Sequence, residues 1–210
     1  MSRLNLPLRN SLYIFLKRLT DLTFASIAWL FFSPVLVTIA ILVKISSPGP
    51  AFYKWKVVGE NGLYFTSFKF RSMYQNADEV KAKLMAQNEM TGPVFKLTND
   101  PRITPLGRIL RKYSLDELPQ LWSVIKGDMS LVGPRPPLQT EYEQFNDWQK
   151  RKLAVKPGIT CLWQISGRND IRDFDEWVKL DLQYIEKRSF WLDLKILLYT
   201  VKCVMKGTGK

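Results

Sequence analysis

Apolar and polar positions are distributed very unevenly along this chain. Leu22 to Val43 is a run of 22 residues without a charge, long enough as a helix to cross a hydrocarbon core of ~30 Å. The run is too long for a leader's apolar core and no small-residue cleavage site follows it, so membrane attachment is expected. Ser33-Pro34 falls near the middle of the run, where proline removes a backbone donor. Basic residues flank both sides: Arg3, Arg9, Lys17 and Arg18 before, Lys44, Lys54 and Lys56 after. The positive-inside rule therefore selects no orientation. A helix that enters, bends at Ser33-Pro34 and returns to the same face satisfies both flanks, and a kinked single span is the alternative.

Downstream the periods are those of a folded domain. Residues 47–75 read as two strands, AFYKWKVV and LYFTSFKF, on either side of Gly59-Glu60-Asn61-Gly62. Asn-Gly between aromatic and β-branched runs predicts a hairpin. Residues 76–90 read as a polar, exposed helix. From Pro105, Leu106, Ile109, Leu110 and Tyr113 recur at helical spacing with Arg108, Arg111 and Lys112 opposite, and a second helix is expected from Ser114 to about Ile125. Residues 127–137 read as a stiff loop, 140–155 as a helix, 155–170 as loop and short strand, and Phe174–Lys187 as a helix. The last segment, about 189–206, is a basic amphipathic helix that suits either core packing or the membrane interface.

Composition narrows the chemistry. The chain has 210 residues, 31 Lys plus Arg against 19 Asp plus Glu, a net charge of +12 and no histidine. The charge favours anionic partners. Without histidine, no Ser-His-Asp or Cys-His nucleophile, histidine base or histidine metal site exists. Acid–base or nucleophilic work falls to carboxylates, lysines, tyrosines or hydroxyls. Cys161 and Cys203 stand in no metal-ligand spacing and read as small buried hydrophobes in a reducing compartment.

Two stretches bear chemistry. In Ser114-Leu115-Asp116-Glu117, Ser114 suits a helix cap with Glu117 reaching back as a capping box, and local physics favours that structural reading. Its surroundings suggest more. Arg108, Arg111 and Lys112 lie just upstream, and Arg135 sits between Pro134 and the pair Pro136-Pro137, which fix its backbone and present its planar fork in few orientations. Arginines around two carboxylates suit a phosphate ester with a divalent metal.

The chain resembles the bacterial sugar transferase family, the monotopic polyprenyl-phosphate hexose-1-phosphate transferases. The resemblance runs from Leu16-Lys17-Arg18-Leu19-Thr20-Asp21 to Leu192-Asp193-Leu194-Lys195. Its strongest stretches are Leu106-Gly107-Arg108 through Ser114-Leu115-Asp116-Glu117-Leu118-Pro119-Gln120, and Lys126-Gly127-Asp128-Met129-Ser130-Leu131-Val132-Gly133-Pro134-Arg135-Pro136. Lys156-Pro157-Gly158-Ile159-Thr160 and Ser166-Gly167-Arg168-Asn169 also match.

The resemblance implies that Asp116 attacks the β-phosphate of a UDP-sugar, releasing UMP, and that the phosphate of undecaprenyl phosphate then takes the sugar-phosphate. Glu117 matches a second carboxylate associated with Mg2+. Arg111, Arg135 and Arg168 match phosphate or nucleotide contacts. Lys69 and Arg71 are weaker candidates, for which a solvated strand face is the alternative, and for Asp181 the alternative is an exposed helix carboxylate. Gly133, Pro134 and Pro136 would shape the loop, and Ser33 and Pro34 would break a re-entrant helix.

The implied fold is α+β, mainly helical. It comprises a membrane-anchoring re-entrant helix in 1–46 and a domain over 47–210 at the cytoplasmic face of the bacterial inner membrane, with a small hairpin and interfacial amphipathic helices. The expected partners are a UDP-sugar, undecaprenyl phosphate and membrane lipids, with a homodimer left open and no nucleic acid. The chain departs from the family at Trp55, Val57 and Cys161, and with about 20 residues ahead of the helix it is expected to be a minimal or cut-down form. A non-enzymatic membrane module would explain charge and anchor but not the match at Asp116, Glu117 and Arg135. A nucleic-acid binder explains charge alone.

Overall fold

One long helix and two small sheets organise the chain, as seen in a computed structural model that describes residues 11–167 and 171–209. Helix α1 (Ser11–Ser46) has Pro34 inside it. Proline has no N–H to offer the Leu30 carbonyl, and the Ser33 hydroxyl donates to that carbonyl instead at 2.8 Å. The helix expected to break at Ser33-Pro34 therefore runs through it.

Along α1 the buried residues are Asp21, Ala25, Leu36, Ile39 and Val43, one stripe at helical spacing. Leu30 and Phe31 on other faces are exposed. Both ends of the stripe are held by the same body. Arg18 donates to the Val124 and Ile125 carbonyls at 2.7 and 2.8 Å, and the Leu131 N–H donates to Asp21 Oδ1 at 3.0 Å. At the far end Arg71 donates to the carbonyls of Val43 (3.1 Å), Ser47 (2.6 Å) and Pro48 (2.6 Å).

Strands β1 (Phe52–Val58) and β2 (Tyr64–Phe70) form the expected antiparallel hairpin, with Phe52 opposite Phe70 and Val58 opposite Tyr64. Asn61 (φ 57°) and Gly62 (φ 79°) make the turn. Helix α2 (Ala77–Leu84) is polar and exposed. Helix α3 (Pro105–Lys112) is capped by Thr104, whose hydroxyl accepts the Gly107 N–H at 2.9 Å.

The next segment departs from expectation. Ser114 does not cap a helix: its φ is +53°, and its N–H donates to the Arg111 carbonyl at 3.0 Å. The chain tightens into a 3₁₀ segment, Leu115–Gln120, containing Pro119, and only then enters α4 (Leu121–Lys126).

Residues 127–137 are not all loop. Strand β3 (Ser130–Val132) pairs in parallel with β4 (Gly158–Thr160), Ser130 beside Gly158 and Val132 beside Thr160. All three β3 residues are buried, so no alternation marks the strand in sequence. The helix expected over 140–155 is split into α5 (Gln139–Tyr142), α6 (Asp147–Lys150) and a 3₁₀ turn, Arg151–Ala154. Asn146 makes the division by capping α6, its side chain accepting the Gln149 N–H at 2.9 Å. A short α7 (Leu162–Ile165) follows, then α8 (Phe174–Lys187) at the expected bounds and α9 (Phe190–Lys206).

The main core gathers Val124, Met129, Val132, Val178, Ile185 and Ile196, and a smaller one joins Leu36, Ile39 and Val43 of α1 to Phe70 and Leu110. Helix α9 buries only Asp193 and Ile196 and leaves Trp191, Leu198, Val201 and Met205 exposed. Asp193 accepts from the Tyr184 hydroxyl at 2.7 Å, Lys17 Nζ at 2.8 Å and the Tyr13 hydroxyl at 3.1 Å.

A Cβ on Gly133 would collide with the Lys156 carbonyl oxygen and lie 2.9 Å from the Gly158 nitrogen, both backbone atoms of the segment leading into β4. Gly133→Ala is expected to destabilise the protein by about 1–3 kcal/mol, seen as a lower midpoint in thermal unfolding.

Candidate functional site

The 3₁₀ segment carries two adjacent acids into the interior: Asp116 is 7% exposed and Glu117 9%. Successive side chains in a 3₁₀ turn point about 120° apart, so each acid has its own surroundings. β2 runs alongside, and its Lys69 places Nζ 2.6 Å from Glu117 Oε1. The solvated strand face that stood as the alternative for Lys69 is thus not what is found: the ammonium is enclosed and lies 4.2 Å from the centre of the Trp55 ring. Arg135 Nη1 stands 3.9 Å from the same Glu117 oxygen. Arg111 donates from Nε to Ser72 Oγ at 2.9 Å. These groups line one cavity of about 480 Å³ that extends to Lys152, Trp163 and Trp177.

The loop around Arg135 is pinned on both sides. The Gly133 N–H donates to the Thr160 carbonyl (3.0 Å), the Gly158 N–H to the Pro134 carbonyl (2.9 Å) and the Val58 N–H to the Pro137 carbonyl (3.0 Å). Proline stiffness and these three bonds together restrict where the guanidinium can go.

The electrostatics follow from burial among opposed charges. Burial pushes the Lys69 ammonium below its ordinary pKa, Glu117 pulls it back up, Arg135 lowers it further and Asp116 again raises it. Arg111 is lowered by burial and raised by Asp116 and Asp100. Asp100 itself is tied to Arg102 by two bonds, 2.9 Å from Nε and 2.6 Å from Nη2. Three cations thus face two carboxylates, leaving positive charge for a further anion. Among the described residues no group of three or more His, Cys, Asp and Glu is placed to cage a cation. Glu117 could offer one carboxylate to a metal that draws its other ligands from phosphate and water, the habit of magnesium.

Other expected site residues are placed differently. Arg71 spends its guanidinium on carbonyls at the end of α1, so it positions that helix. Asp181 is no exposed helix carboxylate: it is 0% exposed, with Lys152 Nζ 2.6 Å from Oδ2. Arg168 lies outside the described residues. Trp55 is buried against Lys69, and Val57 bridges to Leu138 beside the Arg135 loop. Cys161 is 2% exposed, and burial pushes its thiol well above the ordinary range.

Sequence reasoning missed Ser72, Lys152 and the stacked pair Trp163 and Trp177, whose ring centres are 4.1 Å apart. Asp100-Pro101-Arg102, just ahead of the Thr104-Pro105 helix start, was a signal for the Asp100–Arg102 pair.

Similarity to known proteins extends along nearly the whole chain. The family profile described as bacterial sugar transferase matches residues 12–207. The chain is 52% identical to the galactosyl transferase CpsE of Streptococcus agalactiae, over 94% of this chain and 44% of that protein. It is 44% identical to the undecaprenyl-phosphate galactose phosphotransferase of Salmonella typhimurium, over 93% of this chain and 41% of that protein. It is 43% identical to the exopolysaccharide production protein ExoY of Rhizobium meliloti, over 92% of this chain and 87% of that protein. The chain thus spans less than half the length of the first two relatives and most of the third.

The Lys152–Asp181 pair gives a pH-dependent test. Burial raises the Asp181 carboxyl, with Lys152 pulling it back, so the fold favours the protonated acid. The stability it contributes is present below the ordinary carboxylate pKa and is lost as pH rises through the raised value. Lys152→Met removes the partner and leaves a lone buried carboxylate, an expected loss of about 3–5 kcal/mol in the ionised state. Thermal unfolding is expected to show a larger deficit at about pH 8 than at about pH 4.

Proposed function

This chain belongs to the bacterial sugar transferase family, and on that premise we propose that it moves a sugar-1-phosphate from a UDP-sugar to undecaprenyl phosphate, releasing UMP. The observation that carries the reading is the buried pair Asp116 and Glu117 at a cavity wall with Lys69, Arg111 and Arg135 around it. A carboxylate is a weak nucleophile, but phosphoryl transfer depends chiefly on positioning and charge neutralisation.

In the first step an Asp116 oxygen bonds to the β-phosphorus and the bond from that phosphorus to the bridging oxygen breaks, so UMP leaves with the electron pair. In the second, an oxygen of the lipid phosphate bonds to the same phosphorus and the Asp116 carboxylate is released. Arg111 and Arg135 offset the diphosphate's charge as Asp116 approaches. Lys69 orients Glu117 through their 2.6 Å contact. Mg2+, held by Glu117 with the substrate's phosphates, would supply further charge neutralisation. Two relatives are named for galactose, which makes UDP-galactose the first donor to test.

Membrane attachment belongs to the same reading. Helix α1 is long and apolar enough to cross a membrane. A straight span would separate Asp21 from Val43 by roughly 33 Å at 1.5 Å per residue, about the full hydrocarbon core. Both residues nevertheless rest on one body, which argues against a bilayer lying between them, and basic residues flank both ends. The proposal is therefore attachment from one leaflet, the cytoplasmic one where nucleotide sugars are found, with α9 lying in the same interface.

The test is product identity. With Mg2+, UDP-galactose and undecaprenyl phosphate in nanodiscs, UMP is the expected nucleotide, and UDP would overturn the mechanism. With donor alone, intact-protein mass is expected to rise by one hexose phosphate. Asp116→Asn should abolish that adduct and lower turnover by roughly three orders of magnitude or more, with the fold intact by circular dichroism.

A further inference from the structure

A second cavity, about 170 Å³, has one lining residue in common with the first, Glu117. Its other walls differ in kind. Leu118, Leu121, Ile159, Ile165 and Val204 make it largely apolar. Its polar side chains are in part already satisfied. The Thr160 and Thr200 hydroxyls bond each other at 2.6 Å, and Gln164 Oε1 accepts the Cys161 N–H at 3.0 Å. Such a surface offers little to a nucleotide. Its volume also lies below the roughly 300 Å³ at which pockets begin to hold a drug-sized ligand.

The setting is as informative as the lining. Thr200, Cys203 and Val204 of α9 line the cavity, spaced i, i+3, i+4 on one face. The adjoining faces of the same helix show Leu198, Val201 and Met205, all exposed. On the other side, Leu121 adjoins Trp122, which lies 5.9 Å from Trp29 of α1 between ring centres. Helix α9, rich in exposed apolar side chains, thus lines the cavity, α1 packs just beyond it through Trp122, and Glu117 is shared with the cavity of the reacting centre.

We infer that this cavity receives the carbons nearest the phosphate of the lipid acceptor's polyprenyl chain. This deepens the function proposed above and rests on it. The two substrates then arrive by separate routes and meet at one phosphorus: the nucleotide through the large polar cavity, the lipid through the small apolar one. Once UMP has left, the lipid phosphate takes the place UMP vacated. Its oxygen forms the new bond as the bond to Asp116 breaks, and a phosphate dianion needs no proton removed for this. Burial of the first apolar carbons fixes the attacking phosphate, the positioning that such a reaction requires.

Cys203 makes the inference measurable without turnover. It is half-buried on the cavity wall, whereas Cys161 is fully buried with its thiol raised, so maleimide labelling of the native full chain in detergent reports Cys203. A Cys203→Ser chain supplies the background. Saturating undecaprenyl phosphate is expected to slow labelling at least tenfold, with no slowing by UDP-galactose or inorganic phosphate. Unchanged labelling would overturn the inference, as would equal protection by phosphatidylglycerol, which marks general lipid cover, or protection by UDP-galactose, which would place the donor there. In parallel, Val204→Trp fills the cavity and is expected to raise the acceptor KM about tenfold, and an unchanged KM in a folded chain would count against the site. Labelling needs no chemistry at Asp116, so a failure there and a failure of the transferase reading are separately visible.

Discussion

Two neighbouring carboxylates taken out of water constrain everything around them. An isolated buried charge is far costlier than a paired one, and a like charge beside it adds to the penalty. Asp116 and Glu117 are tolerable inside the protein because separate elements each deliver a cation: β2 brings Lys69, α3 brings Arg111 and the Gly133–Pro137 loop brings Arg135. The hairpin must therefore run beside the 3₁₀ segment, and the proline loop must be tied to both β4 and β1. The excess of positive charge that makes burial bearable is also what the proposed diphosphate donor would require.

The same strand couples this centre to the long helix. Lys69 engages Glu117, and two residues on Arg71 closes the end of α1 by bonding the Val43 carbonyl in its last turn and the Ser47 carbonyl just beyond it. Exposed carbonyls at a helix end need partners, above all next to an apolar environment. Arg71 meets that need with a group that sequence comparison alone would assign to substrate. The distance between the reacting centre and the apolar helix is therefore set within three residues of one strand.

How much of this was readable beforehand depended on which interactions are local. The hairpin, α3, α8 and α9 follow from period and turn chemistry, and their positions agreed closely. Strand β3 did not, because three fully buried residues carry no alternation and their partner lies nearly thirty residues on. The segment 139–154 reads as one helix by periodicity, yet a capping asparagine divides it. Ser114 shows the limit most clearly. Its spacing to Glu117 matches a capping box, but a left-handed backbone and the pull of Lys69 on Glu117 give the same residues another structure. Among site residues, Asp116, Glu117, Lys69, Arg111 and Arg135 do converge. Lys152, Trp163 and Trp177 had no local signature, since tertiary packing alone brings them to the cavity.

Asp193 carries a consequence for the order in which the protein is made. Lys17 and its partner Asp193 are separated by 176 positions, so the first turns of α1 leave the ribosome long before the residue that will hold them exists. The clasp formed by Tyr13, Lys17, Tyr184 and Asp193 therefore cannot fasten until α9 has been made, which leaves the start of the chain waiting on its end.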